Sequence, residues 1–160
     1  MTEKHLRIDY IEYDGLDEMT PEDRALVEAA AAARDGSYSP YSKFSVGAAL
    51  RLVDGRVVLG ANQENAAYPA GLCAERTAMF AASANHPDVA FDTLAIVGGH
   101  HGETCAYPVS PCGSCRQVMA EYQKKFRRPL QVILAGEKRI RKFSCVDALL
   151  PFIFDSLDAE

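Results

Sequence analysis

The chain has 160 residues, a common size for one domain with a single hydrophobic core. Hydrophobic residues make up 48% and charged residues 24%, which excludes a disordered chain, a collagen and a coiled-coil rod. A formal net charge of -5 disfavours nucleic acid polymers as partners, and no apolar run approaches the ~18 residues that cross a membrane.

The first half of the chain predicts an arm, a helix and a β-hairpin. Residues 1–19 are acidic and aperiodic, so they are interpreted as an N-terminal arm, and residues 20–160 as a single domain. A capping threonine, a proline and two acidic residues predict a helix over 21–34. Alternating apolar residues predict a strand over 44–50, and an Asp-Gly turn joins it to a second strand over 56–61.

The second half of the chain alternates helices with strands. Helices are predicted over 73–85 and 112–126, and strands over 93–97, 131–135 and 139–144. Together with the hairpin, this order predicts the α/β class, as a three-layer α/β/α arrangement around a mixed five-stranded sheet.

The cysteines are the first chemical signal. Five cysteines cannot all pair within one chain, and the N-terminus lacks an apolar signal segment, so we expect free thiols in the cytoplasm. Cys112 and Cys115 are three residues apart on one predicted helix, and Cys73 opens another. Helix N-termini favour thiolates, and three thiolates suit Zn²⁺ with one position left open for water, as in catalytic zinc sites. Glu75 is then the candidate proton shuttle, and Arg76 is the nearest candidate donor to the sulfurs.

A structural zinc module is the alternative that spacing alone leaves open. Cys105 or Cys145 would supply a fourth ligand and close the site, and Glu75 would then be only a solvated helix residue. A Cys-x-x-Cys pair can also be redox-active or simply buried. Such a module would serve binding or scaffolding rather than catalysis.

Two segments form a specific pair of motifs. Residues 73–78 read Cys-Ala-Glu-Arg-Thr-Ala, and residues 108–117 read Pro-Val-Ser-Pro-Cys-Gly-Ser-Cys-Arg-Gln. The pair resembles the two zinc motifs of the cytidine deaminase family, specifically its small homotetrameric type. The similarity extends to residues 41–50 and 62–69, and it covers most of residues 21–154.

The resemblance implies a cytidine deaminase-like fold and a hydrolase that binds one Zn²⁺ per subunit. Cys73, Cys112 and Cys115 would hold the metal, and Glu75 would move protons during deamination. The expected reaction converts cytidine and 2'-deoxycytidine to the corresponding uridines and releases ammonia, which is a step of pyrimidine salvage. A nucleoside is therefore the expected partner, with no nucleic acid polymer and no membrane.

The resemblance also assigns residues to substrate binding. It implies that Asn62 and Glu64 bind the ribose and that Phe44 packs against the pyrimidine. The Ala74 backbone would hold the pyrimidine edge, and the Ser110 carbonyl would lie near the leaving amino group. In a homotetramer with shared active sites, neighbouring subunits would contribute three further residues, namely Ala66, Tyr68 and Phe154.

Two departures and two alternatives accompany this hypothesis. Residues 149–154 read Leu-Leu-Pro-Phe-Ile-Phe, where the family has Leu-Leu-Pro-Gly-Ala-Phe, and the acidic arm is longer than the family minimum. A relative acting on another cytosine nucleoside, such as a blasticidin S deaminase, is the nearest alternative enzyme. A polynucleotide editor is disfavoured by the acidic charge balance and by the absence of a basic, aromatic groove pattern.

Overall fold

The computed structural model describes residues 1–155 and contains one sheet with helices on both of its faces. No helix among these residues is both long and apolar enough to cross a membrane. The predicted helices and strands are present, with ends that differ by a few residues from the predicted ones. The helices are α1 (Pro21–Ala33), α2 (Ala74–Asn85) and α3 (Gly113–Phe126), and the strands are β1 (Ile11–Tyr13), β2 (Phe44–Leu52), β3 (Val57–Ala61), β4 (Phe91–His100), β5 (Gln131–Ala135) and β6 (Ile140–Phe143).

The sheet is mixed, as predicted, but it has six strands where the sequence predicts five. Its order is β1-β6-β5-β4-β2-β3, with β4 and β5 parallel and the other neighbours antiparallel. The additional strand, β1, lies within the N-terminal arm and pairs with β6, where Arg141 Nε donates to Glu12 Oε2 at 2.8 Å. A strand of three residues is too short to show the alternation of apolar and polar residues that predicts a strand. The strand β1 is therefore recognisable only from its pairing with β6.

Helices cover both faces of the sheet, which confirms the three-layer arrangement. Successive residues of a strand point to opposite faces, so Ala48 and Leu50 of β2 join the core under α2 and α3, while Ala49 joins the core under α1. The second core includes Leu26, Val27, Ala30, Val97 and Ile133. Burial on both faces explains why the central strands are almost continuously apolar.

Gly60 allows β3 to approach the beginning of α2 closely. A Cβ atom at this position would lie 2.4 Å from the carbonyl oxygen of Ala74 and 2.5 Å from the backbone nitrogen of Ala78. No side chain fits in that space, so glycine is required for the contact. The position of the first turn of α2 therefore depends on this residue.

Candidate metal centre and active cleft

Three cysteine side chains meet where two helices begin. Cys73 is the N-cap of α2, Cys112 is the N-cap of α3, and Cys115 lies in the first turn of α3. The Sγ atoms are 3.8 Å apart for Cys73 and Cys112, and 3.5 Å apart for Cys112 and Cys115. All three sulfurs lie within 4.8 Å of one another. The two half-sites that the sequence predicts are thus joined by the convergence of α2 and α3.

The spacing of the sulfurs fits a tetrahedral zinc ion. Zn–S bonds of about 2.3 Å at tetrahedral angles place two sulfurs about 3.8 Å apart, whereas a disulfide would need about 2.05 Å. Within residues 1–155, no other His, Cys, Asp or Glu joins this cluster, so Cys105 and Cys145 do not close it. Three thiolate ligands and one open position are the donor set of a catalytic rather than a structural zinc site.

Contacts within the cluster shift the pKa values of two of its thiols. A hydrogen bond from Cys115, assisted by Arg76 and Cys112, lowers the pKa of Cys73 to about 5 despite partial burial. The same bond to Cys73, together with burial, raises the pKa of Cys115. A metal cation would displace the thiol protons of this cluster, because only thiolates are good ligands.

Arg76 lies next to the predicted ligands, on the first turn of α2. Its Nη2 is 3.7 Å from Cys73 Sγ, and this bond raises the pKa of the guanidinium. A cation beside a thiolate withdraws charge from the sulfur and so preserves the Lewis acidity of a metal bound there. The sequence singles out Arg76 for this position, and the geometry supports it.

Glu75 is buried beside the cysteine cluster. Glu75 is only 4% exposed, yet it lines the adjacent cleft. Burial raises the pKa of Glu75, and the negative charge of Cys73 raises it further. The alternative in which Glu75 is a solvated helix residue is therefore wrong. A buried carboxyl with a raised pKa can accept and return a proton near neutral pH.

A cleft of about 690 Å³ opens in front of Glu75. Such a volume is typical of sites for small molecules. It brings together most of the residues that the sequence predicts for the site: Phe44, Asn62, Glu64, Tyr68, Cys73, Glu75, Arg76, Ser110 and Cys112. Cys115 is buried behind this wall.

Three predicted substrate residues do not line the cleft of the single chain. Ala74 is fully buried, so only its backbone could meet a ligand. Ala66 and Phe154 are exposed to solvent, and Phe154 is 65% exposed. The resemblance assigns Ala66, Tyr68 and Phe154 to a neighbouring subunit's site. For Ala66 and Phe154 that assignment stays a prediction, whereas Tyr68 lines the cleft of its own chain.

Two polar side chains shape one end of the cleft. Asn62 Oδ1 accepts from the Val46 backbone N–H at 2.8 Å, and its Nδ2 donates to the Phe44 carbonyl at 2.9 Å. Glu64 Oε2 accepts from the backbone N–H groups of Tyr41 and Ser42, at 2.9 and 3.2 Å.

Hydrogen bonds from Ser42 and Tyr41 also hold the pKa of Glu64 below its usual value, so this carboxylate stays charged at neutral pH.

Several cleft residues were missed by sequence reasoning. Tyr41 lies within a recognised motif, so closer attention to that motif would have found it. Val109 likewise lies within the quoted motif at residues 108–117. Ile96 carries no signal, because an apolar residue on a buried strand is indistinguishable from ordinary core. The remaining missed residues are Ser42, Val46, Gln63, Asn65, Gly71, Leu72.

An α/β/α fold that directs three cysteines and a buried glutamate toward one cleft defines a zinc-dependent enzyme. The family model described as the cytidine and deoxycytidylate deaminase zinc-binding region matches residues 20–127. This chain therefore belongs to the cytidine and deoxycytidylate deaminase family.

Curated relatives agree with this assignment. A cytidine deaminase from Halalkalibacterium halodurans is 52% identical over 97 residues, which cover 60% of this chain and 68% of the relative. One from Sporosarcina psychrophila is 42% identical over 133 residues, which cover 83% of this chain and 91% of the relative.

Solved structures agree as well. The crystal structure of cytidine deaminase from Burkholderia pseudomallei is 45% identical, covers 85% of this chain and all of its own, and superposes with a TM-score of 0.69. That from Mycobacterium tuberculosis is 35% identical, covers 82% of this chain and 96% of its own, and has a TM-score of 0.64. The likeness thus extends over most of the described residues.

Proposed function

We propose that this chain is a zinc-dependent hydrolase that converts cytidine and 2'-deoxycytidine to uridine and 2'-deoxyuridine in pyrimidine salvage. The observation that carries the proposal is the placement of buried Glu75 beside three converging cysteine sulfurs at the wall of one cleft. A structural zinc module has no use for a buried carboxyl at this point. Family membership supports the same reaction.

The chemistry is divided between the metal and Glu75. Cys73, Cys112 and Cys115 would hold Zn²⁺, which would supply Lewis-acid activation of a water molecule. The Glu75 carboxylate accepts a proton from the attacking water and delivers it to the pyrimidine ring nitrogen, while the water oxygen bonds to the ring carbon that carries the amino group. Glu75 then takes the remaining proton of that oxygen and transfers it to the amino group, whose bond to the carbon breaks to release ammonia. One water is consumed and one ammonia is released for each uridine formed.

The other cleft residues bind and orient the nucleoside. Asn62 and Glu64 offer a donor and a charged acceptor that suit sugar hydroxyls, and Phe44 offers an aromatic surface for the base. The Phe44 ring is itself braced by an edge-to-face contact with His100, with centroids 5.2 Å apart. Ser110 would accept from the amino group that leaves. A substrate held in this way is presented to Glu75 in a single orientation. The reacting groups then need no further encounter, so the chemical step is effectively unimolecular.

The decisive experiment compares the wild-type protein with Glu75→Gln by ultraviolet absorbance of cytidine, at equal zinc content. Glu75→Gln keeps the size of the side chain but removes its proton-transfer capacity, so we expect a rate at least about 10²-fold lower. Glu121→Gln, at an exposed position of α3, is the matched control and should retain full activity. No loss of cytidine absorbance with zinc-loaded wild type would reject the proposal.

We further propose a homotetramer in which neighbouring subunits complete each site. Exposed apolar side chains support this assembly, including Tyr68 at 83%, Phe152 at 97% and Phe154 at 65% exposure. Light scattering should then report four chains. Mixing Glu75→Gln chains with Phe154→Ala chains should restore part of the activity if Phe154 acts across an interface, whereas no restoration contradicts sharing.

Location and the arm are the remaining parts of the proposal. All five cysteines are unpaired, which supports a reducing, cytoplasmic compartment. The boundary between the arm at residues 1–19 and the catalytic domain at residues 20–160 is proposed on the absence of arm residues from the cleft wall. Residues 156–160 lie outside the described part of the chain.

A further inference from the structure

Asn62 belongs to a hydrogen-bond network that extends away from the active cleft. Its Oδ1 accepts from the Val46 backbone N–H at 2.8 Å and from the Ser37 hydroxyl at 2.6 Å, and its Nδ2 donates to the Phe44 carbonyl at 2.9 Å. The two backbone bonds establish which end of the carboxamide is oxygen, because an N–H can only donate and a carbonyl can only accept. The Ser37 hydroxyl must therefore donate its proton to Asn62.

These contacts leave Asn62 with one hydrogen-bonding group for a ligand. A carboxamide can accept two hydrogen bonds and donate two. Val46 and Ser37 occupy both acceptor positions, and Phe44 occupies one donor position. The second Nδ2 proton has no partner within residues 1–155, so Asn62 can only donate toward the cleft. Without the Ser37 hydroxyl, the oxygen would regain an acceptor position.

Glu64 has the complementary character. Its Oε2 accepts from the backbone N–H groups of Tyr41 and Ser42, and a carboxylate can accept about four hydrogen bonds, so Glu64 keeps acceptor capacity for a ligand. Asn62 and Glu64 thus present one N–H donor and one carboxylate acceptor. A hydroxyl group that accepts one hydrogen bond and donates another satisfies both, and a sugar hydroxyl is such a group.

We propose that Ser37 is a positioning residue that makes Asn62 a pure hydrogen-bond donor toward one sugar hydroxyl. The inference rests on the proposed nucleoside deaminase function. Ser37 does not line the active cleft but a separate cavity of about 380 Å³. It therefore acts through Asn62 and not on the substrate.

A second hydroxyl, that of Ser39, is an alternative acceptor for the Ser37 proton. Ser39 Oγ lies 3.1 Å from Ser37 Oγ, and Ser39 is only 4% exposed. Ser37 Oγ has donor geometry toward both Ser39 Oγ and Asn62 Oδ1, but it carries only one proton. The contact with Asn62 is the shorter of the two, at 2.6 Å against 3.1 Å, so the Ser37 proton is assigned to the Asn62 oxygen.

Ser37→Ala tests the proposal against Ser37→Thr, which retains a hydroxyl. We expect Ser37→Ala to raise KM for cytidine about three- to tenfold, the usual weight of one neutral hydrogen bond. The value of kcat should stay within about twofold, because Glu75 and the cysteines lie on α2 and α3. Ser37→Thr should restore most of the wild-type KM. Ser144→Ala, at an exposed position outside the cleft, is the matched control.

Nucleoside analogues separate recognition from general loosening of the loop. Cytidine is compared with 2'-deoxycytidine and 3'-deoxycytidine in wild type and Ser37→Ala. The KM penalty of Ser37→Ala should disappear for the analogue that lacks the hydroxyl contacted by Asn62, and persist for the other. An unchanged KM for cytidine, or an equal penalty with every substrate, overturns the positioning role.

Separate measurements test the proposed function and the Ser37 contact. Wild-type protein that is zinc-loaded but inactive on cytidine rejects the function. The Ser37 contact is then decided by NMR of the Asn62 side-chain amide in ¹⁵N-labelled protein. We expect Ser37→Ala to shift the Asn62 amide signals and speed their hydrogen exchange, and Ser37→Thr to leave them in place. Unchanged signals in Ser37→Ala reject the positioning role whatever the activity.

Discussion

Cys73 and Cys112 occupy the N-cap positions of two different helices, and their Sγ atoms lie 3.8 Å apart. The two residues are 39 positions apart in the sequence. They meet because α2 and α3 pack on the same face of the sheet and begin at the same cleft. Metal binding at this point joins two separate βα connections, so it should stabilise the folded chain as well as enable the reaction.

Replacement of one ligand should remove the metal. Cys112→Ser should lose its zinc to a chelator at concentrations that leave the wild type loaded, because even residues that only support metal ligands contribute about 10–100-fold in affinity. Zinc content after dialysis, measured by elemental analysis, checks this. Cys105→Ser is the matched control, since Cys105 lies outside the cluster, and it should keep its zinc. A zinc-free Cys105→Ser would revive the four-cysteine site.

Arg76 should tune activity without holding the metal. Loss of the Nη2 contact to Cys73 leaves more charge on the thiolate, so Arg76→Gln should lower kcat about tenfold while zinc remains bound. Arg76→Lys keeps the positive charge, so its kcat should lie between those of the wild type and Arg76→Gln. Steady-state kinetics at equal zinc content provide the measurement, and a kcat equal to the wild type in Arg76→Gln would contradict the charge-withdrawal role.

A methyl group at Gly60 should displace the metal-binding end of α2. Its Cβ would lie within 2.5 Å of backbone atoms of α2, so Gly60→Ala should cost about 1–3 kcal/mol in the free energy of unfolding. Denaturant unfolding of the zinc-loaded protein checks this value. Gly36→Ala is the control, because its Cβ would be 3.7 Å from Ala61 Cβ, an ordinary contact. Equal free energies of unfolding for the two variants would show that β3 can move away from α2 without loss of stability.

Stability in acid should depend on Asp92. Partial burial opposes ionisation of Asp92, but hydrogen bonds from Arg51, Thr93 and Arg128 outweigh it and lower the pKa below the ordinary 3.8. The ionised Asp92 therefore stabilises the folded protein fully at any pH above the ordinary pKa of 3.8. This contribution to the free energy of unfolding is lost as the pH falls through the lower pKa that Asp92 has in the folded state.

Asp92→Asn tests this dependence. The variant should be roughly 1.5–3 kcal/mol less stable at pH 7, and the difference should shrink as the pH falls toward 3. Thermal unfolding across this range measures the effect. Asp88→Asn, at an exposed position, is the control. A difference from the wild type that persists at low pH would mean that packing, rather than charge, is responsible.

Removal of residues 1–15 should affect the sheet edge but not the reaction. The truncation deletes β1 and the ion pairs at this edge, in which Glu12 contacts Arg139 and Arg141 and Asp14 contacts Arg139. KM and kcat should stay within about twofold, while the free edge of β6 should make the protein more prone to association at high concentration. Kinetics and light scattering check the two halves of this prediction. A large rise in KM would place the arm in the active site.

The helices were predictable because their signals are local. Thr20 caps α1, and its side chain accepts from the Asp23 backbone N–H at 3.3 Å, as the Thr-Pro pattern indicates. The strand β1 was not predictable, because its three residues depend on β6. Ile96 was not recognised as part of the cleft, because nothing local distinguishes an apolar side chain facing a ligand from one facing the core.

The sequence by itself predicted which cysteines form the candidate metal site, and it determined the family. Cys112 and Cys115 at a three-residue spacing, with Cys73 and Glu75 in a second motif, carry their chemistry in residue type and separation, both of which can be read along the chain. Only the tertiary structure decided that Glu75 is buried and that Ser37 saturates the oxygen of Asn62. Burial and hydrogen-bond partners come from contacts between segments far apart in sequence, and such contacts exist only once the sheet and its helices have packed together.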